Sequence, residues 1–246
     1  MIPAGARLWA PYCGPAPGPA ELLGRWNFDP LLLAGIAVVA GGWWMIGGAE
    51  SRRPVPAIAS LALVLFLFVS PFCALTSALF SARVVHHVIL AAVLAPLLAF
   101  SVPRIAVPGS LAAWTIIQAV LFWLWHSPEL YSTALSNDVD YWAMQASLLG
   151  SSLGFWAVLR RASPQAAVGA LLVSMVQMGL LGALITFAGS PLYAPHRLTT
   201  EAWGLSALQD QQLAGLIMWA PAAGLYLAAA LVIANRWLKA EARIAA

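Results

Sequence analysis

The sequence predicts an all-α integral membrane protein: a bundle of seven transmembrane helices, with the N-terminus outside (periplasmic) and the C-terminus cytoplasmic. Three observations lead there. The 246-residue chain is 62% hydrophobic and 9% charged, with mean hydropathy +0.84, whereas soluble domains carry about 25% charged residues. Apolar stretches long enough to cross the hydrocarbon, which takes about 20 residues, recur along the chain. The basic residues gather on one side of the resulting layout.

The first 28 residues form a Pro/Gly-rich arm, typified by Pro11-Tyr12-Cys13-Gly14-Pro15. Without a continuous apolar stretch it does not read as a signal peptide, and its proline content predicts an irregular, extended path. The transmembrane domain spans residues 29–236, with helices expected at 29–48, 54–72, 79–101, 109–127, 139–160, 165–189 and 208–236. Their breaks are chemically marked: Ser51-Arg52-Arg53-Pro54, Ser101-Val102-Pro103-Arg104, Pro108-Gly109, Arg160-Arg161-Ala162-Ser163-Pro164 and Gly189-Ser190-Pro191. In lipid every backbone group needs an internal partner, which favours helices. Pro221 should kink the last span, and residues 237–246 form a cytoplasmic tail.

Seven spans place the termini on opposite sides. Arg52, Arg53, Arg104, Arg160, Arg161, Arg236, Lys239 and Arg243 fall on the C-terminal side, against Arg7, Arg25, Arg83 and Arg197 on the other. The basic bias makes the C-terminal side cytoplasmic. The bases form no concentrated patch, so nucleic acid is not an expected partner; membrane lipid is.

On this layout all four histidines (His86, His87, His126, His196) and both cysteines (Cys13, Cys73) share the outer side. Such a gathering suggests a metal or redox site. An ionisable residue within a span is a functional candidate because of its cost in lipid, which favours His87 over His86; an interfacial histidine bonded to a loop carbonyl is the bland alternative. Trp125-His126-Ser127-Pro128 ends the fourth span, where His126 could equally cap the helix. Cys13 and Cys73 could form a disulfide or provide thiolates to a soft ion such as Cu(I). Asp210-Gln211-Gln212 opens the seventh span, with Gln211, Gly215 and Met218 on one face. Gly215 would permit close helix approach, and Asp210 could act as an N-cap. Tyr141 and Gln145, four residues apart, suit hydrogen bonding between helices.

Some classes are excluded. The lone lysine, Lys239, lies in the tail, so a span lysine for a retinal Schiff base is absent. No nucleophile-elbow, zinc-protease or phosphate-loop motif occurs. One outer haem between His87 and His126 stays open.

These residues resemble those of the CtaG-type cytochrome c oxidase assembly factors, seven-span proteins of bacterial membranes. The most specific match is Asp210-Gln211-Gln212 with Gly215, Met218-Trp219 and Pro221. Ser81-Ala82 through His87, Trp125-His126-x-Pro128-x-x-Tyr131 and Leu192-Tyr193-Ala194 support it, so the resemblance extends along nearly the whole chain. It implies a non-catalytic, multi-pass protein of the bacterial inner (plasma) membrane that helps copper reach the copper-B centre of a haem-copper oxidase. A haem-copper oxidase subunit and a periplasmic copper chaperone are the implied partners. The expected cargo is transient Cu(I), with His87 and His126 as imidazole ligands and Cys73 or Met218 as the soft partner; His86, Cys13 and His196 are further candidates. Asp210, Gln211, Arg83, Tyr141 and Gln145 would surround and orient these ligands. Where the family carries further histidines, this chain has Arg83, Tyr141 and Gln145. The rival expectations are a haem-binding electron carrier or enzyme, and an oxidase scaffold without a cofactor.

Overall fold

The computed structural model describes residues 9–46, 54–101 and 107–245. Arg7, Arg52, Arg53 and Arg104, which entered the sidedness argument, lie outside the described residues. Among the described residues there are helices and no strands, as the composition predicts.

The helices are α1 (Pro30–Ile46), α2 (Pro54–Val64), α3 (Pro71–Ala78), α4 (Phe80–Ile89), α5 (Ala95–Ser101), α6 (Leu111–Trp125), α7 (Pro128–Ala134), α8 (Asp138–Leu159), α9 (Pro164–Phe187), α10 (Ala207–Ile217) and α11 (Ala223–Ala245). Short π-helical turns at Leu65–Val69, Leu90–Leu94 and Met218–Ala222 extend α2, join α4 to α5 and join α10 to α11. The continuous rods Phe80–Ser101, Pro164–Phe187 and Ala207–Ile244 are long and apolar enough to cross a membrane. Pro54–Val69 with Pro71–Ala78, bent by 49°, would make a fourth if taken as one span. The apolar helices α1 and α6 are shorter, and α8 has the length but carries Asp138, Asp140, Gln145 and three serines. The expected second span therefore stops early, and the expected tail is a helical continuation of α11.

Helix starts follow local chemistry. Ser70, Ser110, Asn137, Ser163 and Ser206 each accept a backbone N–H from the first turn of the helix that follows, and Ser206 with Gln209 completes a capping box. Two π turns sit at prolines. Pro96 offers no N–H to the Ala91 carbonyl, and the Trp156 indole donates to that carbonyl instead (3.0 Å). Pro221 lies inside the third π turn, so the expected kink takes the form of a widened turn.

The bundle packs α9 against α10 and α11, α8 against α5 and α6, α4 against α10, and α2 against α5. At the α9–α10 crossing two glycines meet. A Cβ on Gly215 would fall 2.2 Å from Thr186 Oγ1 and 2.6 Å from the Gly182 carbonyl, and one on Gly182 would fall 2.7 Å from the Gly215 carbonyl. The close approach expected of Gly215 is present. Helix α9 is apolar all round: Leu171, Met178 and Ile185 are buried while Val173, Val176, Leu180 and Leu184 are exposed. Such a helix suits lipid on its outer face.

The arm is irregular, as expected, and it is tied down. Gly14, at φ +84°, closes a turn by donating to the Pro11 carbonyl (2.8 Å). Cys13 is disulfide-bonded to Cys73 of α3. Trp203 donates to Pro17, and Asn27 bonds the Phe68 and Val69 carbonyls at the end of the first π turn.

Candidate functional site

The end of the bundle beneath the arm holds all four histidines, both cysteines and Asp210. Ring contacts and hydrogen bonds join them into one buried region, which divides into a paired part and an unpaired part.

The paired part is built on loop 188–206 and the start of α10. Asp210 accepts from the N–H groups of Phe80 (2.7 Å) and Ser81 (3.2 Å) and from the Ser81 hydroxyl. Leu79 precedes α4 with no capping side chain of its own, so Asp210 supplies that cap from 130 residues away. Gln211 does the converse for α9. Its amide donates to the Ile185 and Ser190 carbonyls (3.3 Å each), and its oxygen accepts from the Leu192 N–H (2.7 Å). His196 accepts from the Tyr131 hydroxyl at Nε2 (2.6 Å), and its Nδ1–H donates to the Ala78 carbonyl (3.3 Å). Burial pushes its pKa down to about 3, so it is a neutral structural histidine. Tyr193 stacks on Phe80 (centroids 3.7 Å) and donates to the His126 carbonyl (2.8 Å).

The unpaired part lies between α4, α6 and α8. Arg83, His86 and His87 project from one turn of α4, His126 from the end of α6, and Tyr141 and Gln145 from α8; all are buried. The His87 ring meets His126 edge to face (5.3 Å) and His86 likewise (5.8 Å). His86 is further enclosed by Phe68 and Phe72. The His126 Nδ1–H donates to the Phe122 carbonyl (2.7 Å), so its Nε2 keeps a lone pair and has no hydrogen-bond partner. Neither nitrogen of His86 or His87, no nitrogen of Arg83 and neither polar atom of the Gln145 amide has a partner in full hydrogen-bonding geometry; the Leu67 backbone lies beside His86, the Tyr131 hydroxyl beside Arg83, and the Tyr141 hydroxyl beside Arg83 and Gln145. The Arg83 guanidinium lies 5.3 Å from the Tyr141 ring centre, a cation–π distance. Among the described residues, ten of the fifteen buried side-chain atoms without a partner in hydrogen-bonding geometry belong to Arg83, His86, His87, His126 and Gln145. At about 1 kcal/mol or more apiece, leaving them all bare would cost as much as the whole stability of an ordinary domain. Such a concentration calls for water or another polar partner at these groups.

Several expected roles change. Cys13 and Cys73 form a disulfide, so neither is a thiolate ligand in this state. His196 has both ring nitrogens engaged. The Met218 side chain packs at the α9 crossing, its Cβ 3.0 Å from where a Gly182 Cβ would stand. Asp210 and Gln211 bond backbone groups of other helices, not a histidine. The Tyr141 hydroxyl lies 3.7 Å from Cys13 Sγ, and its ring stacks on Tyr12 (4.9 Å). Sequence reasoning treated Tyr131 and Tyr193 only as motif letters and missed that they fix His196 and the His126 backbone. A buried tyrosine needs a partner for its hydroxyl, which was the available signal. Among the described residues no group of three or more His, Cys, Asp or Glu is placed to hold a metal ion.

Residues 110–240, just over half of the chain, match the family model of the cytochrome c oxidase caa3 assembly factor, Caa3_CtaG. The chain belongs to this family. The matched stretch contains His126, Gln145, Tyr193, His196, Asp210 and Gln211, and it ends short of α4 with Arg83, His86 and His87. No curated protein and no solved structure matches the chain.

Proposed function

We propose that this chain is a non-catalytic assembly factor that hands Cu(I) to the copper-B centre of a haem-copper oxidase at the periplasmic face of the bacterial inner membrane. The observation that carries the proposal is the His87–His126 pair. An imidazole that donates one ring N–H to a backbone carbonyl and leaves the other nitrogen free has the arrangement usual for a metal ligand, and His126 has it. His87 beside it has both nitrogens unpartnered, so either tautomer can present a lone pair. Imidazole suits copper among other transition metals, and selectivity rests on geometry and coordination number. Two imidazoles without a third ligand favour an ion content with low coordination, as Cu(I) is, and a cargo that must leave again. The same direct ring contact favours a small ion over a haem plane between the two residues.

The histidines bind and release, while Tyr193 and the Phe122 carbonyl hold His126 in place. Phe68 and Phe72 pack against the His86 ring. The seven-span arrangement, with the arm outside, would put the pair within reach of a periplasmic copper chaperone and of an oxidase subunit in the same membrane. The test is complementation of a deletion strain with His87→Ala and His126→Ala, measuring oxidase activity and copper content. Loss of oxidase copper with haem retained is expected for both variants; full rescue by both would refute the site.

A further inference from the structure

We propose that the buried polar cluster around Arg83 binds a small monovalent anion of halide size. Arg83 is fully buried, and a guanidinium stays protonated in any protein setting. Its N–H donors have no partner in full hydrogen-bonding geometry, and the groups beside it, the Tyr131 and Tyr141 hydroxyls, are neutral. Water could complete the hydrogen bonds of the imidazoles and the amide, but it cannot cancel a charge buried in the apolar bundle. The carboxylate of Asp210 is committed to Phe80 and Ser81. Tyr141 gives Arg83 a π face and, like Tyr131, a neutral hydroxyl, neither of which cancels the charge.

The neighbouring groups suit an anion. The Gln145 NH2, and one ring N–H on each of His86 and His87, are donors with no acceptor in full hydrogen-bonding geometry. With the imidazoles neutral the cluster carries a single positive charge, which a monovalent ion cancels. Every one of these side chains is 2% exposed or less, so the occupant must be small. This site stands independently of copper. Its occupation would also remove the positive charge that otherwise opposes a cation at His87 and His126.

The test uses the full chain in detergent micelles with a copper chelator present. Chloride replaces gluconate at constant ionic strength, and labelled chloride is followed by equilibrium dialysis. Saturable retention is expected for the wild type, weaker by about tenfold or more in Arg83→Gln, as loss of a charged hydrogen-bonding partner implies. Gln145→Met should weaken retention by a smaller factor. If Arg83→Gln does not accumulate as folded protein, Arg83→Lys, which keeps the charge, should still retain chloride saturably, and absence of retention in that variant while it is folded would overturn the proposal. Absence of saturable retention in the wild type, showing a hydrated cluster only, would overturn the proposal. So would equal retention in wild type and Arg83→Gln, or in wild type and Gln145→Met where only that variant folds.

Discussion

Two histidines at the same end of the bundle have opposite surroundings. His196 has a partner on each ring nitrogen, a phenol on one side and a carbonyl on the other. His87 has none, and its closest companions are two other imidazole rings. The contrast extends to their neighbours. Asp210 and Gln211 complete the ends of helices they do not belong to, whereas Arg83 and Gln145 are buried without a partner in full hydrogen-bonding geometry. Buried groups that are paired hold a fold together; buried groups left bare weaken it unless something else binds them. Substitutions should therefore separate the two sets.

The largest expected effect is at Asp210. Replacing it with Ala strips the start of α4 of two N–H acceptors and the Ser81 hydroxyl of its partner, which should cost about 3 kcal/mol. Thermal unfolding in detergent would show it as a markedly lower midpoint, with Asp210→Glu partly restoring the loss.

His196→Gln should cost less, about 1–2 kcal/mol for two altered hydrogen bonds, and its effect should depend on pH. The folded pKa of His196 is depressed to about 3, against about 6.5 for a free histidine. The unfolded chain therefore binds the extra proton first as pH falls. The wild-type residue's contribution is complete above pH about 6.5 and is lost by about 1.4 kcal/mol per unit on the way down to about 3. The stability gap between wild type and His196→Gln should close about one pH unit below 6.5 and reverse at lower pH, the variant becoming the more stable; a gap independent of pH would contradict the buried neutral assignment.

The smallest expected effect on stability is at Gln145. Gln145→Met removes two bare polar atoms and keeps the volume, so the unfolding midpoint should stay within about 0.5 kcal/mol or rise. A loss as large as that of Asp210→Ala would mean that Gln145 belongs to the paired set.

The sequence was most legible where physics is local. Apolar length located the long helices Phe80–Ser101, Pro164–Phe187 and Ala207–Ile244, Pro221 announced a local distortion of the last one, and Gly215 announced the close crossing. The grouping of histidines and cysteines followed from helix ends. What could not be read was pairing across the chain. Asp210 looks like a cap for its own helix and serves another, because the partner N–H groups lie 130 residues away. His196 and His87 are the same residue type on similar ground, and only the placement of Tyr131 and Ala78 distinguishes them. The cysteine pair was open between disulfide and thiolates until the arm was seen folded onto α3.

The most direct test of the central claim is a Cu(I) competition titration of the purified protein under reducing conditions with a calibrated chelator. Saturable Cu(I) binding is predicted for the wild type and for His196→Gln, and its loss in both His87→Ala and His126→Ala. Unchanged Cu(I) affinity in the last two variants, or loss only in His196→Gln, would contradict the assignment of the unpaired histidines to copper.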